Sequence, residues 1–258
     1  YYSLISNMLQ VEMMKDILYF NPIIVLFLTF NSINNNHILS AIIYNKIADL
    51  NFANELHSSK SFKFFTFFQI YIPKRRIVKD GIIAKDGVIS FYISSPNDFL
   101  IKSLVDGFLE DLEISFQNQK LTIQKIEALK TPEFSSKNEF KTLAPIIVRT
   151  KKEIDGELKI WDLAPSDKFF KSLENNLIKK YIKFNNLTKT DKKINIYSDM
   201  NFVKRKRISI NKGNATTHHR AYMMDLILEG DLDLIEFAYD VGIGEKNSMG
   251  FGMVKLLE

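Results

Sequence analysis

The chain has 258 residues, of which 46% are hydrophobic and 25% are charged. This composition excludes a disordered protein, and the length gives room for one large core or for two domains of about 100–150 residues each. The chain has no cysteine, which excludes disulfide bonds and thiolate metal sites and favours a cytoplasmic location. The net charge of +5 is modest, so the distribution of the basic residues matters more than their sum.

Residues 1–21 are the least informative part of the sequence, and we interpret them as an N-terminal extension of unknown role. No positively charged segment precedes an apolar one there, so we expect no signal peptide. The most apolar run, 17–30, is interrupted by Asn21-Pro22 and is too short to span a membrane. We predict a buried strand over 23–30, because this segment is short, β-branched at its start and bounded by Asn and Pro.

Apolar residues at helical spacing predict a helix over 37–50. Tyr44 lies off its apolar stripe, so it is a surface residue, a packing residue or a site residue. A loop over 54–63 carries His57 and Lys63 and leads into a phenylalanine-rich strand over 64–68. From spacing alone, a histidine at a helix end and a solvated lysine are the simpler interpretation, and two side chains pointing into a cleft are the alternative.

The remaining predicted strands and helices follow a similar order in the two halves of the chain. In the first half, strands over 69–72, 81–83 and 88–93 precede a helix over 96–110 and strands over 111–116 and 120–128. In the second half we predict a strand over 140–150, a helix over 167–181, strands over 194–200, 202–210 and 221–229, a helix over 232–241 and a strand over 253–257. The pattern predicts an α+β protein of tandem ferredoxin-like (RRM-like, β-α-β-β-α-β) domains, 22–137 and 138–258, with a linker near 132–138.

The strongest local charge is the run Lys204-Arg205-Lys206-Arg207, with Lys212 shortly after it. In a strand, successive side chains alternate between faces, so the two lysines would face one way and the two arginines the other. Such cations bind phosphates with a salt-dependent affinity, and a solvated strand is the alternative interpretation. A second basic cluster ends at Lys74, Arg75 and Arg76.

The segment 242–252 holds four of the ten glycines, Gly242, Gly244, Gly250 and Gly252. It lies between a predicted helix and a predicted strand and carries Lys246 and Ser248 in its middle. Successive N–H groups of such a loop can form an anion-binding nest below a lysine charge, which suits a phosphate backbone. The order of elements excludes a dinucleotide fingerprint, and the ending of a nucleotide P-loop is missing. A purely structural glycine-rich turn is the alternative.

The run YDVGIGEKNSMGFGMVKL, residues 239–256, resembles the signature loop of the RAMP superfamily of CRISPR-associated proteins. It is most similar to the endoribonucleases that cut precursor CRISPR RNA within its repeats (Cas family six). The segments IIYNKI, 42–47, and LAPIIV, 143–148, are similar to the first helix and to the start of the second domain in that family. The resemblance covers about residues 22–258.

The resemblance implies a catalytic set. Tyr44 corresponds to a tyrosine that takes part in cleavage in some members, Leu56-His57 resembles the active-site histidine position, and Lys63 matches the lysine that follows it. His57 is then the general acid or base, and Lys63 a fixed cation for the phosphorane oxygens. Tyr44 is either a second proton-transfer group or a hydrogen bond that orients the 2′-hydroxyl. The implied reaction needs no metal or cofactor and leaves 2′,3′-cyclic phosphate and 5′-hydroxyl ends.

The predicted RNA-binding residues lie in the glycine-rich loop and in the basic strands. They are Gly242, Gly244, Lys246, Ser248, Gly250, Gly252, Lys204, Arg205, Lys206, Arg207, Lys212, His219 and Arg220. We interpret His218-His219-Arg220 as an RNA-contact hairpin or a plain exposed turn. Two adjacent histidines on a strand cannot easily share a metal, so we predict no metal site.

The predicted partner is CRISPR repeat RNA, with no membrane. Other CRISPR-associated proteins of an interference complex and a second copy of the chain are further candidate partners. Two alternatives stay open at this point: a non-catalytic RAMP RNA-binding subunit of such a complex, and a generic RNA-binding module outside CRISPR systems.

Overall fold

The structure is a computed structural model that describes residues 8–14, 36–58, 62–68, 70–78, 81–116, 119–154, 156–212 and 215–257. The strand predicted over 23–30 lies outside the described residues. In the described ranges, no helix has the length and apolar character needed to cross a membrane.

The helices and strands are numbered in chain order. They are β1 (Met8–Met14), α1 (Asn36–Asn45), α2 (Leu50–Ser58), β2 (Thr66–Phe67), β3 (Arg75–Val78), β4 (Gly81–Ala84), β5 (Val88–Ser94), α3 (Asp98–Glu110), β6 (Glu113–Phe116), β7 (Gln119–Leu129), β8 (Lys137–Thr142), β9 (Arg149–Ile154), β10 (Glu157–Asp162), α4 (Asp167–Phe184), β11 (Ile194–Tyr197), β12 (Val203–Lys212), β13 (Ala215–Gly230), α5 (Leu232–Val241) and β14 (Val254–Leu256).

The chain divides into two compact units. The first contains Tyr1–Ser59, Gln69–Ile93 and Asn97–Lys130, and the second contains Lys60–Phe68, Ser94–Pro96 and Thr131–Glu258. The predicted domain boundary between residues 137 and 138 stays a prediction.

In the first unit, strands β5, β1, β7 and β6 lie side by side in that order. The central strand β1 is antiparallel to β7, from Met8 opposite Leu129 to Met14 opposite Thr122. Helix α3 begins at Asn97, whose side chain accepts hydrogen bonds from the N–H groups of Phe99 and Leu100. Its buried face includes Leu104 and Phe108, and the Phe108 ring packs edge-on against Phe91 of β5. A buried aliphatic and aromatic core therefore joins this helix to the sheet.

In the second unit, the strand order is β11-β13-β8-β14, with β8 antiparallel to both of its neighbours. The sequence β8-α4-β11-β13-α5-β14 has the predicted β-α-β-β-α-β order. Strand β13 continues beyond this sheet and pairs with β12 from Val203 opposite Met224 to Lys212 opposite Ala215. The α+β class with antiparallel sheets is confirmed.

Several predictions of secondary structure were wrong. The helix predicted over 37–50 ends at Asn45, and α2 begins anew after Asp49, whose side chain accepts from the N–H of Phe52 at 2.9 Å. This helix cap also explains why 54–58, predicted as loop, is helical. Of the strands predicted over 64–68 and 69–72, only β2 and a single bridge between Tyr71 and Ser90 form. Strand β1 occupies a region where no element was predicted.

The strand predicted over 140–150 was also wrong, because β8 ends at Thr142 and a new strand starts at Arg149. Pro145 lies between them and has no N–H for a sheet ladder. Beyond it, β9 and β10 form a two-stranded hairpin from Arg149 opposite Asp162 to Ile154 opposite Glu157, which was not predicted.

Candidate nucleic-acid interface

The glycine-rich loop, residues 242–252, is held by close contacts between backbone segments. Gly242, Gly244, Gly250 and Gly252 all have positive φ, between 73° and 81°. A Cβ on Gly252 would lie 1.9 Å from the carbonyl oxygen of Ile243, and one on Gly244 would lie 2.5 Å from that of Ile147. These two glycines are therefore required by the packing of the protein itself.

Many N–H groups of this loop donate to carbonyls inside the second unit. Ile243 donates to Gly252 at 2.8 Å, Glu245 to Ile147 at 2.7 Å and Gly252 to Pro145 at 3.0 Å. Met249 and Gly250 close a short 3₁₀ turn by donating to Lys246 and Asn247. Because these amides already have acceptors, side chains such as Lys246 are better suited than the backbone to bind a phosphate here.

Asn247 and Lys180 hold the loop from its buried side. The Asn247 amide donates to the carbonyl of Phe251 at 3.0 Å and accepts from Nζ of Lys180 at 2.7 Å. The same Nζ donates to the carbonyl of Gly242 at 2.9 Å. Lys180 is only 2% exposed, and burial lowers its pKa to about 7, an effect that the carboxylate of Glu245 opposes.

Glu245 ties the loop to the first residue of β9. Its carboxylate accepts from the backbone N–H of Arg149 at 2.9 Å and from Nε of the same residue at 2.6 Å. The next residue, Lys246, has a left-handed backbone with φ of 60° and is half-buried. Burial lowers the pKa of Lys246 and the Arg149 charge adds to this effect, while Glu245 and Asp162 oppose it.

The β12–β13 hairpin packs against the same loop. Ile208 and Ala221 form a buried cluster with Phe251 of the loop and Ile147, and Met249 packs against it. The predicted RNA-binding loop and the predicted RNA-binding strands are therefore adjacent. Lys204, Arg205 and Arg207 are exposed and Lys206 is half-buried. Because Ile208 lies on the same side of the strand as the two lysines, Arg205 and Arg207 lie on the side opposite the buried cluster.

The exposed face of this hairpin, which we name the arginine face, carries Arg205, Arg207, Arg220 and His218. Arg207 lies directly opposite Arg220 in the ladder, and the next pair is Ser209 with His218, whose Oγ and Nδ1 are 2.9 Å apart. Among the described residues, none of the three arginines forms an ion pair. Like charges directly opposite each other destabilise a sheet, so this arrangement indicates a surface that binds an anion.

His218 and His219 point to opposite sides, as predicted, but they lie within a strand, so the interpretation as an exposed turn was wrong. His219 is buried, with Nδ1 3.2 Å from Oδ1 of Asp162, and Oδ2 of Asp162 accepts from the backbone N–H of Arg220 at 2.8 Å. His219 therefore joins β13 to the end of β10, whereas Arg220 presents its side chain to solvent. Lys212, at the end of β12, is described by its backbone.

Tyr44 and His57 lie in the first unit, on the consecutive helices α1 and α2. Tyr44 is half-buried, and His57 is described by its backbone.

Lys63 belongs to the second unit, and burial lowers its pKa. Its neighbour Phe64 packs edge-on against Phe184 of α4. Three residues further on, the hydroxyl of Thr66 donates to the carbonyl of Phe251 at 2.9 Å. The segment that carries Lys63 is therefore fastened to the glycine-rich loop.

The sequence analysis missed the residues that support this interface, above all Lys180, Asn247, Arg149 and Asp162. For Lys180 a signal was present, since it follows Phe169, Leu173 and Leu177 at helical spacing on the buried face of α4. A lysine on an apolar stripe has to find buried acceptors. Within the described ranges, no three His, Asp or Glu side chains are grouped as a metal ion would require.

Comparisons with known proteins agree along most of the chain. A family model described as CRISPR-associated protein Cas6, N-terminal, matches residues 31–127, and one described as CRISPR associated protein Cas6, C-terminal, matches residues 129–256. A CRISPR-associated endoribonuclease Cas6 of Methanocaldococcus jannaschii is 41% identical over 234 residues, which cover 87% of each chain.

Two solved structures have the same fold. One, described as CRISPR associated protein Cas6, has a TM-score of 0.78 and 37% identity, and the match covers 97% of this chain and 99% of that one. The other, described as a RAMP protein binding different RNA substrates, has a TM-score of 0.80 and 29% identity over the same shares of the two chains.

Proposed function

Because the chain belongs to the Cas6 family of CRISPR-associated proteins, we propose that it is an endoribonuclease that processes CRISPR repeat RNA. The relative that supports this activity is the Methanocaldococcus jannaschii protein, named an endoribonuclease and 41% identical. The observation that carries RNA binding is the arginine face beside the glycine-rich loop. Arg205, Arg207 and Arg220, which form no ion pair with any described residue, and Lys246 of the adjoining loop offer cations to the phosphates of one strand.

The proposed reaction is transesterification without a metal ion. The 2′-hydroxyl attacks the adjacent phosphorus, the bond to the 5′-oxygen breaks, and the products carry 2′,3′-cyclic phosphate and 5′-hydroxyl ends. His57 exchanges the protons of this reaction as general acid or base. Lys63 stabilises the charge on the phosphorane oxygens, and its attachment to the loop segment supports this role. Tyr44 orients the 2′-hydroxyl or transfers the second proton.

The test is cleavage of a labelled repeat RNA in EDTA by the wild type, His57→Ala and the matched control His37→Ala. His37 is an exposed histidine on α1 and is not one of the proposed catalytic residues. We expect the wild type and the control to cut equally and His57→Ala to be slower by about 10²-fold or more. A repeat with a 2′-deoxy nucleotide at the cut site should survive. Full activity of His57→Ala would disprove the role of this histidine.

A non-catalytic RNA-binding subunit is the second candidate. Two observations favour it. The glycine-rich loop and the arginine face belong to the second unit, whereas Tyr44 and His57 belong to the first, and a protein of this fold at 29% identity is described as a RAMP protein binding different RNA substrates. Wild-type protein that binds the repeat tightly and never cuts it would establish this alternative. Association with other CRISPR-associated proteins or with a second copy of the chain would then be examined by mass measurement of the RNA complex.

A further inference from the structure

Lys180 is a cation enclosed beneath the predicted RNA-binding loop. It lies near the end of α4, is 2% exposed, and donates to two acceptors, both in the segment 242–247. A buried charge is costly unless hydrogen bonds compensate it, and both acceptors are provided by this loop.

Both acceptors control the shape of the loop. The carbonyl of Gly242 lies at the point where α5 ends and the chain turns with φ of 80°. Asn247 spans the loop, because its amide nitrogen donates to the carbonyls of Ile243, at 3.4 Å, and Phe251, at 3.0 Å. Fixing these two residues also fixes Lys246 and Ser248, which lie between Gly242 and the end of the 3₁₀ turn.

We infer that Lys180 is a positioning residue that holds the glycine-rich loop in its RNA-binding conformation from beneath, through Gly242 and Asn247. This inference rests on the proposed RNA-binding function of the loop. A charged donor makes stronger hydrogen bonds than a neutral one, so the loop is held most firmly when Lys180 is an ammonium.

Several titratable groups lie on the elements next to Lys180. They include Glu245 and Lys246 of the loop, Asp233, Glu236, Tyr239 and Asp240 of α5, Glu174, Lys179, Tyr181 and Lys183 of α4, and Tyr197 of β11. Of these, Glu245 acts on its charge, and that carboxylate is already engaged by Arg149. Lys180 therefore responds to pH mainly through its own burial.

The test measures the dissociation constant of repeat RNA for the wild type, Lys180→Met, Lys246→Ala and the matched control Lys179→Met. Lys179 is the exposed neighbour of Lys180 on the same helix, so its replacement removes the same charge. We expect Lys180→Met to weaken binding on the order of tenfold, and Lys179→Met to leave it nearly unchanged.

The salt dependence of the RNA affinity distinguishes a lysine that positions the loop from a lysine that contacts a phosphate. Replacing Lys246, a proposed phosphate contact, should lower the slope of log K against log salt by about 0.7, the value per contact for a single strand. Replacing Lys180 should leave the slope unchanged, because this side chain cannot reach a phosphate. A lowered slope in Lys180→Met would overturn the positioning role.

A pH series keeps the inference testable if Lys180→Met folds poorly. Wild-type affinity should fall as the pH rises through about 7, where Lys180 loses its charge. Asn247→Asp places a carboxylate where the Asn247 oxygen is 2.7 Å from Nζ, and it also removes the amide donor to the Phe251 carbonyl. Binding should therefore be weaker at every pH, while the fall itself moves upward by about one pH unit or more.

Two further results would overturn the inference, and they are distinguishable from each other. If Lys246→Ala weakens binding while Lys180→Met does not and Asn247→Asp leaves the pH profile in place, RNA binding by the loop stands and the positioning role is wrong. If the wild type does not bind repeat RNA, the proposed function fails, and the inference fails with it.

Discussion

The glycine-rich loop and the arginine face lie side by side in the second unit, and they are built in opposite ways. The loop is largely buried, its amides donate to the protein, and Lys180 and Asn247 fix it from within. The arginine face is exposed, with Arg207 opposite Arg220 and no ion pair for either within the described residues.

Because of this difference, we expect the loop and the arginine face to bind the same RNA strand in different ways. The loop is rigid because any change at its glycines disturbs the packing of the backbone, so it can fix the register of one phosphate near Lys246. The arginine face has long flexible side chains and a repulsion that an anion relieves, so we expect it to contribute affinity that depends strongly on salt. Mutations should therefore affect folding at the loop and RNA affinity at the face.

The largest effect is expected for Gly252→Ala. A Cβ at this position would lie 1.9 Å from the carbonyl oxygen of Ile243, at a φ of 73°, so the loop backbone has to shift. We expect a loss of about 3 kcal/mol or more in the free energy of unfolding, measured by urea denaturation, together with loss of RNA binding.

The matched control is Gly156→Ala in the β9–β10 turn, where φ is 76° and nothing lies within 4 Å of the added Cβ. It reports the cost of the left-handed backbone alone, about 1 kcal/mol. Equal losses in the two variants would show that close packing does not hold the loop.

The next effect is expected for the double variant Arg207→Ala/Arg220→Ala. RNA affinity at low salt should fall by about 10²-fold, and the salt slope should fall by about 1.4 for two lost contacts. The free energy of unfolding should change by less than about 0.5 kcal/mol, because both side chains are exposed and repel each other. A marked destabilisation with unchanged affinity would contradict the difference between the two regions.

The smallest effect concerns the free energy of global unfolding as a function of pH, which is distinct from how firmly charged Lys180 holds the loop within the folded protein. Burial lowers the pKa of Lys180 to about 7 from the ordinary 10.5, so between these values the unfolded chain binds more protons than the folded one. Stability from this residue is therefore lowest below pH 7 and rises with pH, by at most about 1.4 kcal/mol per unit. The difference in unfolding free energy between the wild type and Lys180→Met should follow this rise from pH 7 to 9. A difference that is constant with pH would contradict the burial of a titrating lysine.

Local patterns in the sequence predicted much of the second unit. The helical spacing of Phe169, Leu173 and Leu177 predicted α4, and the alternation along β12 predicted that the lysines and arginines of 204–207 face opposite ways. The failures came where a tertiary contact overrides a continuous apolar pattern. The apolar segment 143–148 was predicted as part of a strand. In the structure, the N–H groups of Leu143 and Ala144 both donate to the carbonyl of Met253, and the chain turns at Pro145.

The candidate site shows the same division. Gly242, Gly244 and Lys246 were predicted from a loop whose composition is unusual in itself, Arg207 from a charged run, and Arg220 from its place beside two histidines. His219 was predicted to contact RNA, but in the structure its ring is buried beside Asp162. Asp162 lies 57 residues before His219 in the sequence, and no local sequence pattern predicts a contact between them.

The sequence by itself determined the α+β class, the alternation of faces along the basic strand and the position of the glycine-rich loop, because these follow from the spacing of neighbouring residues. Only the tertiary structure decided that the loop uses many of its amides internally, that Lys180 supports it and that Glu245 joins it to Arg149. Hydrogen bonds and burial depend on groups brought together from distant parts of the chain, and those groups become neighbours only when the whole unit has folded.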